Sequence, residues 1–600
     1  MCGFVGWYND KENIKKHKKM IKKMNKSLKH RGPDDHQYDI SDHLLLGHNR
    51  LSIIDLKNGV QPMKYKNYTI VYNGEIYNTN EIKKLLIEKG YTFTTTSDTE
   101  VLLKGYICFK EKILNVIEGI YAFAIYNQEE LFLARDRLGV KPLFYSHMGN
   151  DFLFASEIKA ILKSKIVKPI ITKDSLSQLL SLGPSRVPGS GIFKDIYELR
   201  PAHYLTYKDG QINIQRYWNV ASKEFNDTFE ESVIKTRELL TDSIKRQMVS
   251  DVPIACFLSG GLDSSIITAV VSKNYDDVLK TFSIDYEDNN KYFKGNAFQI
   301  SEDKSFIDIM RKTFSTNHYF EIISQRKLAK LLKKSVVARD YPGMADIDSS
   351  LYWFSKQIKK EVKVALSGEC ADEIFGGYPW FYNEKIRKRD NFPWIDSLDE
   401  RNNLLKEELK DKLKLKDYVS KTYEDIIKEI PEDSDEFKKL FYINMIMFMP
   451  TLLERKDRMT MMASLEARVP FADTKLIEYL WNVPWEYKFY HNKEKGLLRE
   501  AFKDILPNEI FDRKKNPYPK THHPKYTKIV TKMLRKRLKR KNNVIYKIFD
   551  KDKIRELIET NGSSFKTPWF GQLMTGPQLL AYLYQFDVWA DKYKIILEIN

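Results

Sequence analysis

Cysteine is scarce in this chain of 600 residues, which contains four in all: Cys2, Cys108, Cys256 and Cys370. They lie far apart and form no CxxC pair, so the sequence lacks the usual signs of a structural zinc site and of a disulfide framework. Sparse, unpaired cysteines are typical of a reducing compartment, and we therefore expect the protein to be cytoplasmic.

Long apolar runs are missing as well. The longest candidate, residues 440–453, is short for a membrane span and is interrupted by Asn444 and Pro450, which favours a buried helix. The N-terminus has no basic segment followed by an apolar one, so it does not resemble a secretory signal, and Cys2 is not expected to carry a lipid. We expect no membrane partner.

Acidic residues are too few to balance the basic ones, and the formal net charge is +18. Much of the excess lies in residues 13–30 and 525–541, where apolar side chains recur at helical spacing: Ile14, Ile21, Met24, Leu28 and Ile529, Met533, Leu534. This pattern predicts two amphipathic helices with basic faces in water. A nucleic-acid-binding surface at 525–541 is the alternative. It explains none of the motifs below, and we expect no nucleic-acid partner.

The chain divides into two regions with different patterns. Short β-type runs separated by turn residues fill the first region, whereas strands and helices alternate after about residue 225 and helices dominate after about residue 380. This predicts packed sheets flanked by helices, an α+β domain, followed by a parallel-sheet α/β domain with a helical C-terminal part. We expect the two domains at 2–210 and 228–600.

A cysteine directly after the initiator methionine is the most unusual feature of the N-terminus. Removal of Met1 leaves Cys2 with a thiol and a free α-amine, which titrates lower than a lysine and can accept the thiol proton. The residue then pairs a nucleophile with its own base. From position alone, a buried structural cysteine that happens to be second remains an alternative.

Polar residues elsewhere in the first region can complete a site around this thiol. The side chain of Asn73 and the backbone N–H of Gly74 follow an apolar strand and can form an oxyanion hole. Arg50 can hold a carboxylate in a two-pronged contact. Glu75 and Asp98 can hold an ammonium group.

Together with HRGPD (30–34), SDTE (97–100) and ARDRLGVKPL (134–143), these residues resemble the class II glutamine amidotransferases over roughly residues 2–195. The resemblance implies the N-terminal-nucleophile αββα sandwich. It implies that Cys2 attacks the glutamine amide and releases ammonia by way of a glutamyl thioester. It also implies that glutamine and its oxyanion are held by Arg50, Leu51, Ile54, Asn73, Gly74, Glu75 and Asp98.

A second motif, SGGLDSS (259–265), joins an apolar strand to a helix. Its glycines expose backbone N–H groups at a helix N-terminus and its serines add hydroxyl donors, which together make a phosphate cradle. The Walker pattern GxxxxGK[ST] is absent here. Asp263, a carboxylate among phosphates, suggests a Mg²⁺ ligand. A glycine-rich strand–helix turn without a ligand is the alternative.

The segment LSGECADE (366–373) follows another apolar strand and clusters Glu369, Asp372 and Glu373. Three carboxylates close to phosphates need metal ions or protons to coexist. A solvated acidic turn fits poorly, because Phe375 and Tyr378 follow directly.

SGGLDSS and LSGECADE together resemble segments of the glutamine-hydrolysing asparagine synthetases. The resemblance extends to residues 455–473, 495–500 and 506–519, and so covers most of 228–520. The resemblance implies an ATP-pyrophosphatase-type domain, similar to the adenine nucleotide alpha hydrolases, and a homodimer. It implies Mg²⁺ at Asp263 and Asp372, Glu369 as the base for attacking ammonia, and Lys495 as stabiliser of the adenylate and pyrophosphate. ATP would lie against Leu258, Ser259, Gly260, Gly261, Asp263, Ser264, Ser265, Ile284, Ser367 and Gly368.

Two positions depart from the family pattern. Cys370 stands where the family more often has glycine, and Ala472 stands where it more often has leucine. Neither change removes a charged group, so we expect activity to be retained.

We therefore expect ATP-dependent synthesis of L-asparagine from L-aspartate, with glutamine as nitrogen donor, a β-aspartyl-AMP intermediate, and AMP and pyrophosphate as products. Ammonia is mostly protonated in neutral water, so an apolar channel should carry it between the sites. A related enzyme that amidates another carboxylate, in a cell-wall precursor or secondary metabolite, would use the same motifs. Acceptor choice is expected to lie in residues 287–303 and 339–350.

Overall fold

The structure, a computed structural model, describes residues 2–293, 302–432, 434–541, 543–571 and 573–599. Strands of its first region are β1 (Cys2–Asn9), β2 (Asp35–Ile40), β3 (Leu44–Arg50), β4 (Met63–Tyr65), β5 (Tyr68–Ile76), β6 (Gly119–Tyr126), β7 (Leu131–Arg135), β8 (Phe144–Met148), β9 (Asp151–Ala155), β10 (Ile170–Thr172), β11 (Tyr197–Glu198), β12 (His203–Lys208) and β13 (Gln211–Arg216). Its helices are α1 (Lys18–Lys26), α2 (Thr79–Glu88), α3 (Asp98–Phe109), α4 (Ile158–Lys163) and α5 (Lys173–Ser181).

Two antiparallel sheets stack face to face in this region. Their strand orders are β11-β8-β9-β1-β3-β2 and β13-β12-β7-β6-β5-β4. Alternating apolar residues from the inner faces form a shared core that includes Phe4, Val71, Leu133 and Phe154. Helices α1 and α4 cover the first sheet, and α3 covers the second with α2 beside it. The predicted αββα sandwich is confirmed.

The register of these sheets places the N-terminal cysteine. Strand β1 pairs with β3 so that Cys2 lies opposite Arg50. Strand β5 of the other sheet packs against β1 and carries Asn73, Gly74 and Glu75 in sequence. The thiol and the predicted oxyanion residues therefore meet at the same end of the sandwich.

Strands of the second region are β14 (Ile254–Phe257), β15 (Lys280–Tyr286), β16 (Asn317–Ile323), β17 (Val364–Leu366), β18 (Glu466–Arg468) and β19 (Ile596–Glu598). The helices up to residue 413 are α6 (Phe229–Arg246), α7 (Leu262–Asn274), α8 (Asn289–Tyr292), α9 (Lys304–Thr313), α10 (Gln325–Arg339), α11 (Ala345–Ile358), α12 (Ala371–Phe375), α13 (Pro379–Tyr382), α14 (Glu384–Arg387), α15 (Leu398–Asn403) and α16 (Glu407–Leu413). They continue with α17 (Leu415–Ile427), α18 (Glu436–Ile443), α19 (Met449–Met461), α20 (Thr474–Asn482), α21 (Trp485–Lys488), α22 (Gly496–Ala501), α23 (Asn508–Phe511), α24 (Pro524–Leu538), α25 (Ile545–Ile548), α26 (Lys551–Glu559) and α27 (Gly576–Tyr593).

A parallel sheet of order β16-β15-β14-β17-β18 organises this region, as the sequence predicts. The chain runs outward from β14 on one side and returns to build β17 and β18 on the other. The strand order therefore reverses between β14 and β17, and ligands of such sheets bind at the carboxyl ends of the strands at this point. SGGLDSS (259–265) begins just after β14, and LSGECADE (366–373) begins at the last residue of β17. The fold therefore brings both motifs to that crevice.

The two basic segments form the predicted amphipathic helices. In the first, Ile14, Ile21, Met24 and Leu28 are all buried. In the second, α24 buries Leu534 and packs against α10 and α27, while Ile529 and Met533 are half-buried. No helix among the described residues is both long and apolar enough to cross a membrane.

The connection between the two regions runs through residues 217–228. Strand β13 pairs with β12 and completes the second antiparallel sheet, so this sheet extends to Arg216. We propose that the first domain ends in this connection, just after the expected limit of 210, and that the second begins near 228. The C-terminal strand β19 returns to the first region and pairs in parallel with β10.

Candidate active sites

Cys2 is buried where the two antiparallel sheets meet, and the side chains around it form the candidate thiol pocket. Only 7% of the residue is exposed. Its backbone N–H donates to Asn73 Oδ1 at 2.9 Å, and Arg31 Nε donates to its carbonyl at 3.0 Å. Burial raises the pKa of the thiol overall, while a hydrogen bond from the Leu51 backbone and the charge of Arg50 act to lower it. The Leu51 N–H and the charge of Arg50 thus favour the thiolate, whereas burial, the largest effect, and the charge of Asp98 favour the thiol.

Asn73 provides an unused side-chain donor next to Cys2, and Gly74 follows it in β5. Asn73 is fully buried, and its Nδ2 has no hydrogen-bond partner among the described residues. A Cβ at Gly74 would come within 2.2 Å of the Ile120 carbonyl oxygen, so no side chain fits there. A buried amide donor without a partner is costly unless a ligand oxygen uses it. This is the arrangement that an oxyanion hole requires.

The charged side chain of Arg50 lies close enough to Cys2 to act on its thiol. The Arg50 guanidinium is fixed by the carbonyls of Ile54 (3.1 Å), Asp55 (2.5 Å) and Leu56 (3.2 Å). It can present its charge to a carboxylate. The structure therefore brings Arg50 and Ile54 together in one fixed loop.

Two buried carboxylates, Glu75 and Asp98, lie close to each other near Cys2. Tyr72 donates to Asp98 at 2.8 Å. Burial raises the pKa of both carboxyl groups, and the negative charges of Glu466 and Asp98 raise the pKa of Glu75 further. An incoming ammonium group would compensate these charges. The pocket thus combines groups for a carboxylate, an ammonium and a polarised carbonyl around one thiol.

The second site is an open cleft of about 960 Å³, counting the space at its mouth. Of the residues expected to bind nucleotide or metal or to act as base, the cleft is lined by Leu258, Ser259, Gly261, Asp263, Ser264, Ile284, Ser367, Gly368, Glu369 and Asp372. Three expected residues do not line it: Gly260, Ser265 and Lys495. Gly260 has a left-handed φ of 69° and turns the loop, while Ser265 is buried inside α7.

Lys495 lies behind the cleft and joins its two predicted metal ligands. Its Nζ is 2.7 Å from Asp263 and 2.6 Å from Asp372. Burial opposes the charge of Lys495, but the two carboxylates raise its pKa overall. One ammonium therefore draws both carboxylates together. Mg²⁺ at phosphate sites commonly uses one or two carboxylates and completes its coordination with phosphate oxygens and water, so this pair fits.

Glu369 is held by two cations that the sequence analysis missed. Its carboxylate lies 2.6 Å from Arg455 Nη2 and 3.0 Å from Lys456 Nζ. Burial would raise the pKa of Glu369, but these two charges lower it overall. Arg513, also missed, lines the same cleft, and Lys515, missed as well, lines an adjoining cavity that shares Glu369 and Asp372 with it. All four belong to segments that carried the family resemblance, and their density of basic residues was the available signal.

A single helix, α19, contacts both sites. Asp457 in this helix forms a two-pronged ion pair with Arg31 at 2.8 and 3.1 Å, and Arg31 also binds the Cys2 carbonyl. Arg455 and Lys456, the residues immediately before Asp457, bind Glu369. The thiol pocket and the cleft are therefore connected by neighbouring residues of one helix.

The buried Cys2 site of the first region is typical of a glutaminase, and the cleft at the parallel sheet of the second region is typical of a nucleotide-dependent ligase. Together they define an amidotransferase domain coupled to a ligase domain. Comparison with known proteins agrees with this class. The asparagine synthase family matches residues 235–591, and the glutamine amidotransferase domain matches residues 1–218. The chain belongs to the asparagine synthase family and is an enzyme.

Two relatives indicate how far the similarity extends. Glutamine-hydrolyzing asparagine synthetase 3 of Bacillus subtilis strain 168 is 49% identical, over 100% of both chains. Glutamine-hydrolyzing asparagine synthetase 1 of the same strain is 33% identical over 86% of this chain and 87% of its own. The similarity to the first relative therefore extends over both domains.

Proposed function

We propose that this enzyme makes L-asparagine from L-aspartate, ATP and glutamine, releasing glutamate, AMP and pyrophosphate. The observation that carries the proposal is the Asn73 amide nitrogen beside Cys2, which has no hydrogen-bond partner among the described residues, in a chain whose other domain holds a carboxylate-rich cleft. The names of both relatives agree with this reaction.

In the first half-reaction, Cys2 attacks the side-chain amide of glutamine. We propose that Met1 is removed, so that the α-amine of Cys2 takes the thiol proton and passes it to the leaving ammonia. Asn73 Nδ2 and the Gly74 N–H stabilise the oxyanion. Arg50 binds the glutamine α-carboxylate, with Leu51 and Ile54 beside it, and Glu75 and Asp98 bind the α-ammonium. Water then releases glutamate from the thioester.

In the second half-reaction, the aspartate β-carboxylate is activated. We propose that adenosine lies against Leu258, Ile284 and Ser367, and that the phosphates lie on the loop after β14. Asp263 and Asp372 would hold Mg²⁺, which supplies positive charge to the phosphates when it is bound with ATP. Lys495 stabilises the negative charge of the pyrophosphate that leaves.

Ammonia then attacks the acyl carbon of the adenylate, and Glu369 accepts the proton. The low pKa of Glu369 keeps it deprotonated, which is the form that a base needs. A weak base is sufficient here, because the nitrogen of the tetrahedral adduct carries a positive charge and is acidic. The apolar ammonia channel expected between the domains stays a prediction.

Nitrogen-source dependence tests the proposal. Purified enzyme with aspartate, ATP and Mg²⁺ should form asparagine and AMP in equal amounts from either glutamine or ammonium. Cys2→Ala should abolish the glutamine route and keep the ammonium route. Glutamine hydrolysis without asparagine or AMP would keep the glutaminase and exclude aspartate as acceptor. Part of the expected acceptor segment, residues 294–301, lies outside the described residues.

We further propose that the enzyme acts in the cytoplasm as a homodimer. The four cysteines are free thiols in the described structure, which fits a reducing compartment. Sedimentation equilibrium of the purified chain tests the dimer, and a mass close to the single-chain value of 70.8 kDa would exclude it.

A further inference from the structure

Arg468 is a buried cation of the second domain that reaches the thiol pocket of the first. It is the last residue of β18 and is fully buried. Its Nη2 lies 3.9 Å from Oε1 of Glu75, the carboxylate to which the mechanism above assigns the glutamine ammonium. This nitrogen has no hydrogen-bond partner among the described residues, although an unpaired buried donor is costly. The mechanism above gives Arg468 no role.

The rest of the Arg468 guanidinium is fixed without help from Glu75. Its Nη1 donates to the carbonyls of Gln247 and Val249, each at 2.6 Å, and its Nε donates to the Glu466 carboxylate at 2.6 Å. Strand β18 in turn pairs with β17 of the parallel sheet. Because these contacts all lie in the second domain, that domain sets the position of the charge that faces Glu75.

Glu75 depends on a nearby cation to act as a receptor for an ammonium group. Burial raises the pKa of this carboxyl, and the charges of Glu466 and Asp98 raise it further. The charge of Arg468 lowers the pKa of Glu75, and so favours the ionised form that binds a cation. At 3.9 Å the contact with Arg468 is too long for a hydrogen bond, so the carboxylate can still accept one from a ligand.

We propose that Arg468 is a positioning residue of the glutaminase site, supplied by the second domain, which holds the Glu75 carboxylate in place for the glutamine ammonium. It acts through Glu75 and does not touch glutamine. The inference rests on the glutamine-binding role proposed for Glu75. Glutamine recognition is then a property of both domains: the first supplies the nucleophile and the direct contacts, and the second supplies the charge behind one of these contacts.

The test is a double-mutant cycle on glutamine binding in the full chain. Glutamate release is measured at varied glutamine and saturating aspartate, ATP and Mg²⁺, in the wild type, Arg468→Gln, Glu75→Gln and the double variant. Arg468→Gln should raise KM for glutamine about 5- to 20-fold and change kcat by less than about 2-fold, because it weakens binding without touching the reacting atoms. In the double variant, KM should stay within about 2-fold of that of Glu75→Gln, since the carboxylate through which Arg468 acts is already gone.

Further measurements separate positioning from a merely structural role. Arg468→Lys keeps the positive charge and should recover part of the glutamine affinity. Arg401→Gln is the matched control, because Arg401 is also a buried arginine of the second domain that contacts the first, through the carbonyls of Leu180 and Ser181. It should leave KM for glutamine unchanged. Ammonium-dependent asparagine synthesis should be retained in Arg468→Gln, since this route does not use the glutamine site.

An unchanged KM in Arg468→Gln beside a raised KM in Glu75→Gln would overturn the inference and leave the role of Glu75 intact. Effects that multiply in the double variant would also overturn it, because Arg468 would then act independently of Glu75. So would an equal fall of the glutamine and ammonium routes in both Arg468 variants, which is the result of a structural role. An unchanged KM in Glu75→Gln would instead contradict the glutamine-binding role proposed for Glu75, and the inference would fail with it.

Discussion

At the scale of single residues, the two sites differ in how their charges are balanced. The glutaminase pocket holds the Asn73 amide nitrogen, which has no partner in the part of the chain that the structure describes, and two buried carboxylates with raised pKa values, so it is incomplete without a ligand. The phosphate cleft is already neutralised, because Asp263, Glu369 and Asp372 each contact a cation. Substrate binding should therefore fill the first site and rearrange the second.

Loss of the unpartnered amide should affect only the glutamine route. Asn73→Ala should lower the glutamine-dependent rate about 100- to 1,000-fold, the usual effect of removing one oxyanion donor. Asn73→Asp keeps an oxygen for the Cys2 N–H but lacks the donor, so it should fail similarly. The ammonium-dependent rate is the internal control. Near-normal glutamine hydrolysis in both variants would exclude Asn73 from the oxyanion hole.

Glutamine affinity should depend on pH through Glu75. Burial raises the pKa of this carboxyl well above its usual range, so it is protonated and neutral at pH values where an ordinary glutamate is charged. A neutral carboxyl does not attract an ammonium group. KM for glutamine should therefore rise as the pH falls through this raised pKa, and stay flat above it.

Glu75→Gln should show a higher KM for glutamine and a smaller change of KM with pH. Initial rates at saturating aspartate and ATP, measured across pH, provide the test. An identical pH profile in wild type and Glu75→Gln would mean that another group controls binding.

Replacing Cys370 by glycine should give a more stable protein than replacing it by alanine. Its φ of 79° lies in the left-handed region, where a side chain costs about 1–2 kcal/mol. Cys370→Gly removes this strain and Cys370→Ala keeps it, although both lose the buried sulfur. Thermal unfolding should place the glycine variant above the alanine variant. The opposite order would show that the strain is relieved elsewhere.

At the scale of elements, the loop after β14 contains two adjacent glycines, Gly260 and Gly261, that tolerate a side chain to different degrees. A Cβ at Gly260 would lie 2.7 Å from Phe306 Cβ and 2.8 Å from the Ile307 nitrogen, in addition to the left-handed φ. Gly261 has an ordinary φ of −77°, and its nearest contact would be 3.4 Å. The sequence alone does not show which of the two glycines could accept a side chain.

Gly260→Ala should therefore destabilise the protein by more than about 1–2 kcal/mol, whereas Gly261→Ala should cost about 0.5 kcal/mol through the weaker N-cap. Differential scanning calorimetry of both variants tests this difference. Equal shifts of the unfolding temperature would show that the loop moves to accept a side chain at Gly260.

Sequence predicted the elements whose signals are local. The apolar runs directly before the SGG and SGE segments correctly indicated strands β14 and β17. Strands β16 and β18 were missed, because β18 is three residues long and both are recognised only by pairing with distant strands. Arg455 and Lys515 were missed for the same reason: they reach the cleft only after long stretches of chain have packed around it.

At the scale of the whole molecule, buried ion pairs join the two domains. Arg31 and Glu157 of the first domain meet Asp457 and Arg458 of the second, and all four are almost completely buried. A buried pair contributes little net stability, but removing one partner leaves an uncompensated charge. Such a network therefore fixes the relative position of the domains more than it strengthens the fold.

Arg31→Met should lower stability by about 3–5 kcal/mol, because Asp457 and Glu157 lose their shared cation. Adding Asp457→Asn should recover part of the loss. Urea unfolding followed by tryptophan fluorescence, in a double-mutant cycle, provides the measurement. If the two losses simply add, Arg31 and Asp457 are not energetically coupled.

The return of β19 to β10 has a consequence for engineering and for evolution. Two domains joined by one connection can be exchanged like modules, but here the last strand of the chain completes an element of the first domain. A chimera that takes its glutaminase domain from a relative must also take a matching C-terminal strand and a matching residue for Asp457. This topology therefore favours inheritance of the two domains together, as one unit.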